Sequence, residues 1–266
     1  VIELERGKQG RRSWGKKSFE SREQDLGTDS FSALREYLKF KPELIKAITA
    51  DDRTMREVRA LLKSSGCEDL NDKLKHSEDE NRPLWVSLSI QPKEESVAFR
   101  EWQSRQNDLI IALDQVTDPR NLGAIVRSCA FFGVREVLIQ ERRQVGITRA
   151  SVLTAQGGFS LVDLVVVTNL GRALTQLKEL NYWICGADMD GEEVGEVAGF
   201  YDKSVVVLGS EERGISSGIL EKCDRKVAIR GAQNSIESLN VSVAAGILLD
   251  NWNKHSKAVN LENRSK

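Results

Sequence analysis

Apolar residues follow two different rhythms along this chain. In the first third they are spaced for short amphipathic elements. Phe31, Leu34 and Leu38 predict a helix, and Leu44, Ile45 and Ile48 a short strand after a turn at Pro42. Met55, Val58, Leu61 and Leu62 mark a second helix, and Trp85–Ile90 alternates like a strand. From Leu109 the runs become continuous, as in strands buried on both faces of a parallel sheet. Leu109–Leu113, Glu136–Ile139, Leu161–Val167, Tyr182–Ala187, Ser204–Leu208 and Lys226–Ile229 are the expected strands. Helical patterns at Leu122–Phe132, Leu170–Leu180, Ser216–Cys223 and Leu239–Trp252 fall between or after them. Strand–helix alternation of this kind predicts an α/β domain with a mostly parallel sheet. The expected organisation is a disordered charged tail at 1–28, a small α/β module at 29–91 and a charged, helical or linker-like stretch at 92–106. The α/β domain then spans 107–254, and a polar tail spans 255–266.

Composition narrows the class without naming a function. With 266 residues, 40% of them hydrophobic and 30% charged, the chain has the make-up of an ordinary soluble protein. Its longest apolar runs, such as Val205–Leu208, are far too short for a membrane span, and Val1–Gly10 is too charged for a signal peptide. Cys67, Cys129, Cys185 and Cys223 form no Cys-x-x-Cys pair, and His76 and His255 are the only histidines, so no metal site is expected. Free thiols fit a reducing cytoplasm, the expected location. The net charge of −1 does not announce a nucleic-acid binder. The cations Arg6, Lys8, Arg11, Arg12, Lys16 and Lys17 crowd the N-terminus, where they are either phosphate contacts or a solvated tail.

Three segments carry candidate chemistry. The first, Asp114–Ser128, passes from a strand end into a helix for which Asn121 is the expected N-cap. Leu122, Ile125, Val126, Cys129 and Phe132 form its apolar stripe. Arg127 lies off that stripe, one turn after Gly123, whose missing side chain leaves room above the guanidinium. A cation this near a helix start opposes the dipole, so Arg127 is either a plain surface residue or has another task. The second segment runs from Val205 to Gly214. Gly209 and Gly214 have phosphate-loop spacing, but Ile215-Ser216 follows where a lysine is required, so a P-loop is disfavoured. No G-x-G-x-x-G follows any strand, which leaves a dinucleotide site unsupported. Glu211 and Glu212 are loop charges or site residues. The third segment, Ile229–Gly246, is a strand, a polar loop and a helix with Ser238 as its expected N-cap. Asn240 then falls in the first turn, either aimed at a ligand or acting as a second cap.

In order and spacing, Asn121–Arg127, Gly209–Gly214 and Ser238–Gly246 resemble motifs 1, 2 and 3 of the SpoU (TrmH) family of the SPOUT methyltransferase superfamily. The resemblance is strong over about residues 107–254 and weak over 29–91, which is similar to the small RNA-binding domain preceding the catalytic domain in this family. Thr117–Gly123, Val167–Leu170 and Glu237–Leu249 look like the large-subunit rRNA branch, bacterial 23S guanosine enzymes and their mitochondrial counterparts. The resemblance implies an S-adenosylmethionine-dependent RNA 2′-O-ribose methyltransferase, with a C-terminal trefoil knot and a homodimeric state. It also implies a cofactor pocket at Gly186, Leu208, Gly209, Ile229 and Leu239, closed by Ser238 and Asn240. Arg127 would be the catalytic arginine, with Asn121 and Glu211 organising it and the substrate. Two departures stand out. Gly157-Gly158 and Ser160 replace the usual Gly-Ala and Glu, and Arg230 replaces a proline, with one extra residue before Ser238. Arg230 is expected at the RNA.

The reaction, attack of a ribose hydroxyl on a methyl sulfonium, needs in-line placement and loss of a proton. No histidine lies in the motifs, and arginine holds its proton too firmly for an easy base. Arg127 is therefore expected to bind phosphate and stabilise alkoxide charge. Two other readings stand beside this one. One is a tRNA ribose methyltransferase of the same family, which the large N-terminal module disfavours. The other is a non-catalytic RNA-binding protein on this fold, which the intact Asn121, Arg127, Glu211 and Asn240 disfavour.

Overall fold

The computed structural model describes residues 25–79, 82–142, 144–194, 201–232 and 238–264. The cations of the N-terminal segment and residues 233–237, in the polar loop before the third motif, lie outside these residues. The first elements are β1 (Gly27–Thr28), α1 (Phe31–Phe40), β2 (Ile45–Ala50), α2 (Asp52–Ser64), β3 (Leu74–His76) and β4 (Leu84–Leu88). They form a four-stranded sheet in the order β1-β4-β2-β3. Its helices start where side chains can cap them: Ser30 accepts from the Ala33 N–H, and Asp51 from the Thr54 N–H at 2.7 Å. Gly27 and Thr28, expected in the tail, pair instead with Ser87 and Val86 of β4.

The remaining elements are β5 (Lys93–Glu94), α3 (Glu95–Ser104), β6 (Asp108–Asp114), α4 (Pro119–Phe132), β7 (Glu136–Gln140), α5 (Arg149–Ala155) and β8 (Asp163–Val167). They continue with α6 (Leu170–Glu179), β9 (Trp183–Glu193), β10 (Lys203–Gly209), α7 (Ser217–Leu220), β11 (Arg225–Ala228) and α8 (Val241–Arg264). Seven strands make one parallel sheet in the order β11-β9-β10-β6-β7-β8-β5. The run Leu109–Leu113 takes its centre and is buried throughout, which explains why it does not alternate. Helices α3, α6 and α7 cover one face around Trp102, Leu174 and Ile219. On the other face α4, α5 and α8 share a continuous apolar cluster with α1 and α2, so the small sheet's core merges with that of the large one.

Three segments are defined more closely than the pattern allowed. Of the two expectations for residues 92–106, helical or linker-like, the helical one holds. These residues supply the edge strand β5 and helix α3, because Ala98 and Trp102 are fully buried in the second core. The segment 255–266 is helical as far as Arg264, as the end of α8. Strand β9 continues six residues past Ala187, held by pairing with β11 across a register shift after Lys226.

A charged network at the amino ends of β6 and β7 fixes these pieces to one another. Arg105 grips Glu136 with both nitrogens, at 2.5 and 2.7 Å. Lys93 bridges Glu136 at 3.2 Å to Asp163 at 2.8 Å, and Lys41 of the small unit reaches Asp163 at 2.6 Å. Burial alone would raise the Glu136 and Asp163 carboxyls. The cations around them prevail and hold both below their usual range. Burial wins at Asp108, whose carboxyl is raised even though Tyr182 donates to it at 2.6 Å.

Candidate active site

The sequence Asp118-Pro119 starts α4. Asp118 is the cap, accepting from the Arg120 N–H at 2.8 Å, and Pro119 takes the first helical position. Asn121 is therefore not the cap that the apolar stripe suggested. It is the third residue of the helix and is buried, and its amide is not used as a cap. Its Nδ2 donates to Glu211 Oε1 in a short contact, and its Oδ1 accepts from Asn240 Nδ2 at 3.0 Å. Asn240, rather than Ser238, caps α8. Its carbonyl takes the N–H groups of Val243 and Ala244, each at 3.0 Å. Its Oδ1 accepts from the Ser242 N–H at 2.9 Å and hydroxyl at 2.6 Å. Asn240 thus does both things its position allowed, capping a helix and joining the site. One chain of hydrogen bonds, Glu211–Asn121–Asn240, connects the three sequence segments.

Glu211 reaches Asn121 because the loop after β10 closes on itself. Ser210 and Gly214 exchange backbone hydrogen bonds at 3.2 and 2.9 Å. Gly214 has φ +64, and a Cβ at Gly209 would stand 2.0 Å from the Gly214 carbonyl carbon. The two glycines with phosphate-loop spacing are thus the ends of a closed turn. Asp114 at the end of β6 accepts from the Ser216 N–H at 2.7 Å and secures the far side of that turn.

Beside this turn lies a cleft of about 470 Å³, within the usual size of a small-molecule site. Leu208, Gly209, Glu211, Ile229, Ser238 and Leu239, all singled out in the sequence, line it. Gly186 does not. It is buried one residue earlier in β9, and a Cβ there would meet the Cys223 sulfur at 2.8 Å. Asn240 borders the cleft through its hydrogen bonds without lining it. The residues that sequence reasoning missed are Asp188, Met189 and Asp190 in the extension of β9, with Val241 and Ala244 of α8. Polar Asp188 and Asp190 gave no strand signal. Val241 and Ala244 are ordinary helix positions whose direction the sequence does not reveal. Arg230 is committed elsewhere than expected. Its guanidinium donates to the carbonyls of Met189 and Gly191, both at 2.8 Å, and so pins the strand that walls the cleft.

Arg127 is not brought into this cluster. Six residues beyond Asn121, it lies about 9 Å further along α4 and on another face. It is exposed, with no side-chain partner among the described residues, and its Cα abuts Gly158. Gly123 makes no room for it. A Cβ there would meet the Ser151 carbonyl oxygen at 2.5 Å, so that glycine serves close contact between α4 and α5. Phe131, one turn after Arg127 on the same face, is 83% exposed. The cysteines do not take part. Burial pushes the Cys185 thiol up to about 12 and the Cys223 thiol to about 11, which keeps both as thiols.

The family model of the SpoU rRNA Methylase family matches residues 108–250. A relative from Mycolicibacterium vanbaalenii, named as an uncharacterized tRNA/rRNA methyltransferase, is 43% identical over 141 residues. That alignment takes in 53% of this chain and 45% of the relative, so the chain spans less than half of that protein's length. Among solved structures, the SpoU methyltransferase AviRb from Streptomyces viridochromogenes, in complex with AdoMet, superposes with a TM-score of 0.72 at 16% identity. It covers 91% of this chain and 96% of its own. An AdoMet-bound rRNA methyltransferase from Sinorhizobium meliloti gives 0.65 at 17% identity, over 86% and 87%. These two likenesses establish the fold, and the family match covers more than half of the chain. The chain belongs to the SpoU rRNA Methylase family.

Proposed function

We propose that this chain is an S-adenosylmethionine-dependent RNA 2′-O-ribose methyltransferase acting on a guanosine of large-subunit rRNA. The observation that carries the reading is the Glu211–Asn121–Asn240 chain, set at the rim of a cleft lined by both apolar and polar residues. The cleft fits the cofactor. Leu208, Ile229, Leu239, Val241 and Ala244 offer an apolar slot for a purine, and the strand ends around Gly209 offer backbone groups for its polar edge. When bound, the cofactor supplies a methyl group on a cationic sulfur.

The protein's own contribution is placement. Asn121 and Asn240 hold the Glu211 carboxylate at the mouth of the cleft, where it can accept the proton or hydrogen bond of a ribose hydroxyl. Within one chain Arg127 stands off from this cluster, so the Arg127 of a second copy would bind phosphate and steady the alkoxide charge here, as its permanent cation suits. Its outward placement beside exposed Phe131, with Val243 of α8 half exposed, supports a homodimer in which α4 and α8 face a second copy. The trefoil knot belongs to the same proposal. The rRNA assignment rests on the similarity of Thr117–Gly123 and Glu237–Leu249 to that branch. The test is transfer of labelled methyl from S-adenosylmethionine to unmodified large-subunit rRNA and to tRNA, followed by digestion to nucleosides. 2′-O-methylguanosine from the rRNA alone is expected. Label in tRNA alone would move the substrate, and label in neither would reject the reading.

A further inference from the structure

The sheet has a second cleft at the same edge that the methyl-transfer reading does not use. It lies at the carboxyl ends of β6 and β7 beside α6 and α7, on the face opposite α8, and holds about 480 Å³. Its cations come from three separate elements: Arg142 after β7, Arg172 in the first turn of α6 and Lys222 after α7. Gln115, Gln140 and Asn169 add amides. Asp114 is the one carboxylate in the lining, and its Oδ2 is already occupied by the Ser216 N–H. The side chains of Arg142 and Lys222 have no hydrogen-bond or ion-pair partner among the described residues. Arg172 has one loose, exposed contact, with Glu95 at 3.3 Å.

Two features make this more than a set of surface cations. First, the backbone of α6 opens into it. Asn169 accepts the Arg172 N–H, whereas the N–H groups of Leu170 and Gly171 have no intrahelical acceptor, and Gly171 lines the cleft without a side chain to cover them. Second, the position is the one where such sheets bind ligands. From β6 the chain builds outward through β7 and β8, then returns to place β10 and β9 on the other side of β6. The crevice at that reversal lies outside the carboxyl ends of the strands. The Gly209–Ser216 turn separates the two clefts, since Asp114 is the register partner of Gly209.

We propose that this cleft holds a backbone phosphate of the substrate RNA, next to the nucleotide presented to the methyl-transfer site. The inference rests on the RNA methyltransferase reading above. Convergent cations, free backbone N–H groups and amides suit a phosphodiester, and Arg172 and Arg142 offer paired donors to its oxygens. The cleft then fixes the register of the strand, and the Asn121–Glu211 side acts on the ribose.

The test compares wild type with the double variant Arg142→Ala/Lys222→Ala and with the charge-keeping pair Arg142→Lys/Lys222→Arg. Both residues are exposed, and thermal denaturation confirms that each variant folds. Filter binding of unmodified large-subunit rRNA is measured between about 50 and 200 mM salt. The alanine variant should bind about tenfold more weakly, and its slope of log affinity against log salt should fall by roughly 2. KM for RNA should rise more than kcat falls, S-adenosylmethionine affinity should be unchanged, and the charge-keeping pair should bind like wild type. Wild-type RNA affinity and salt slope in the alanine variant would overturn the proposal. So would loss of inorganic phosphate binding, followed by NMR, with RNA affinity intact, because the cleft would then serve a free anion. A wild type that binds no S-adenosylmethionine would sink the functional reading and this inference with it. The RNA arm needs no cofactor and so separates that failure from one of the cleft alone.

Discussion

Substituting Gly209 by alanine tests how the closed turn builds the site. The new Cβ would stand 2.0 Å from the carbonyl carbon of Gly214 and 2.2 Å from both its oxygen and the Ile215 nitrogen. Ordinary carbon contacts lie near 3.5–4.0 Å, and the obstructing atoms are backbone rather than the end of a flexible side chain. The turn must open, which breaks the Ser210–Gly214 hydrogen bonds and draws Glu211 away from Asn121. Overpacking of this kind costs about 1–3 kcal/mol. Expressed as cofactor affinity, that is roughly a 5- to 150-fold loss. Gly214→Ala is the informative comparison. No atom lies within 4 Å of its added Cβ, so it bears only the cost of φ +64, about 1–2 kcal/mol. Gly218→Ala, also in open space, should be neutral. Calorimetric titration with S-adenosylmethionine, beside thermal denaturation, should rank the three with Gly209→Ala worst. Wild-type affinity in Gly209→Ala, or a larger loss in Gly214→Ala, would refute the reasoning.

Three further outcomes are expected. Arg230→Ala frees the carbonyls of Met189 and Gly191. It should weaken cofactor binding roughly threefold to tenfold in calorimetry and leave rRNA affinity unchanged, the reverse of what an RNA contact would give. Gly123→Ala drives a Cβ to 2.5 Å from the Ser151 carbonyl oxygen and 2.7 Å from Thr154 Cβ. It should lower the melting temperature by several degrees, at about 1–3 kcal/mol. Glu136 and Asp163 have lowered carboxyls, so the stability they add is present above about pH 4 and is lost as the pH falls through their folded values. Asp108, raised by burial, works in the opposite sense and offsets part of that loss. Urea midpoints should therefore drop on acidification below about pH 4, and Glu136→Gln should show a shallower drop from a lower neutral value.

Much of the fold was legible because burial writes itself as continuous apolar runs, as at Leu109–Leu113 and Val205–Leu208. The elements that escaped notice are those whose stability comes from contacts rather than pattern. Helix α5 has only seven residues, too few for a helical period to show, and is held by the reciprocal Thr148–Ser151 cap and by close approach to Gly123. Strand β5 has two residues and depends on β8. The helix start at Asp118-Pro119 was present as a signal, but the apolar stripe from Leu122 drew the boundary inward to Asn121. At the site, residue types and spacing marked Asn121, Glu211 and Asn240, yet nothing in the sequence showed that they bond to one another. The expected guanidinium space above Gly123 failed because a glycine does not state what fills the gap it leaves.

The most direct test of the account is the turnover of Asn121→Ala with its cofactor affinity measured alongside. Removing this amide leaves Glu211 without its buried donor and Asn240 without its acceptor, whereas Asn121 does not line the cofactor cleft. The account predicts that methyl transfer to large-subunit rRNA falls about a hundredfold in kcat, while S-adenosylmethionine affinity stays within about threefold of wild type. Unchanged turnover in a folded Asn121→Ala protein would contradict it.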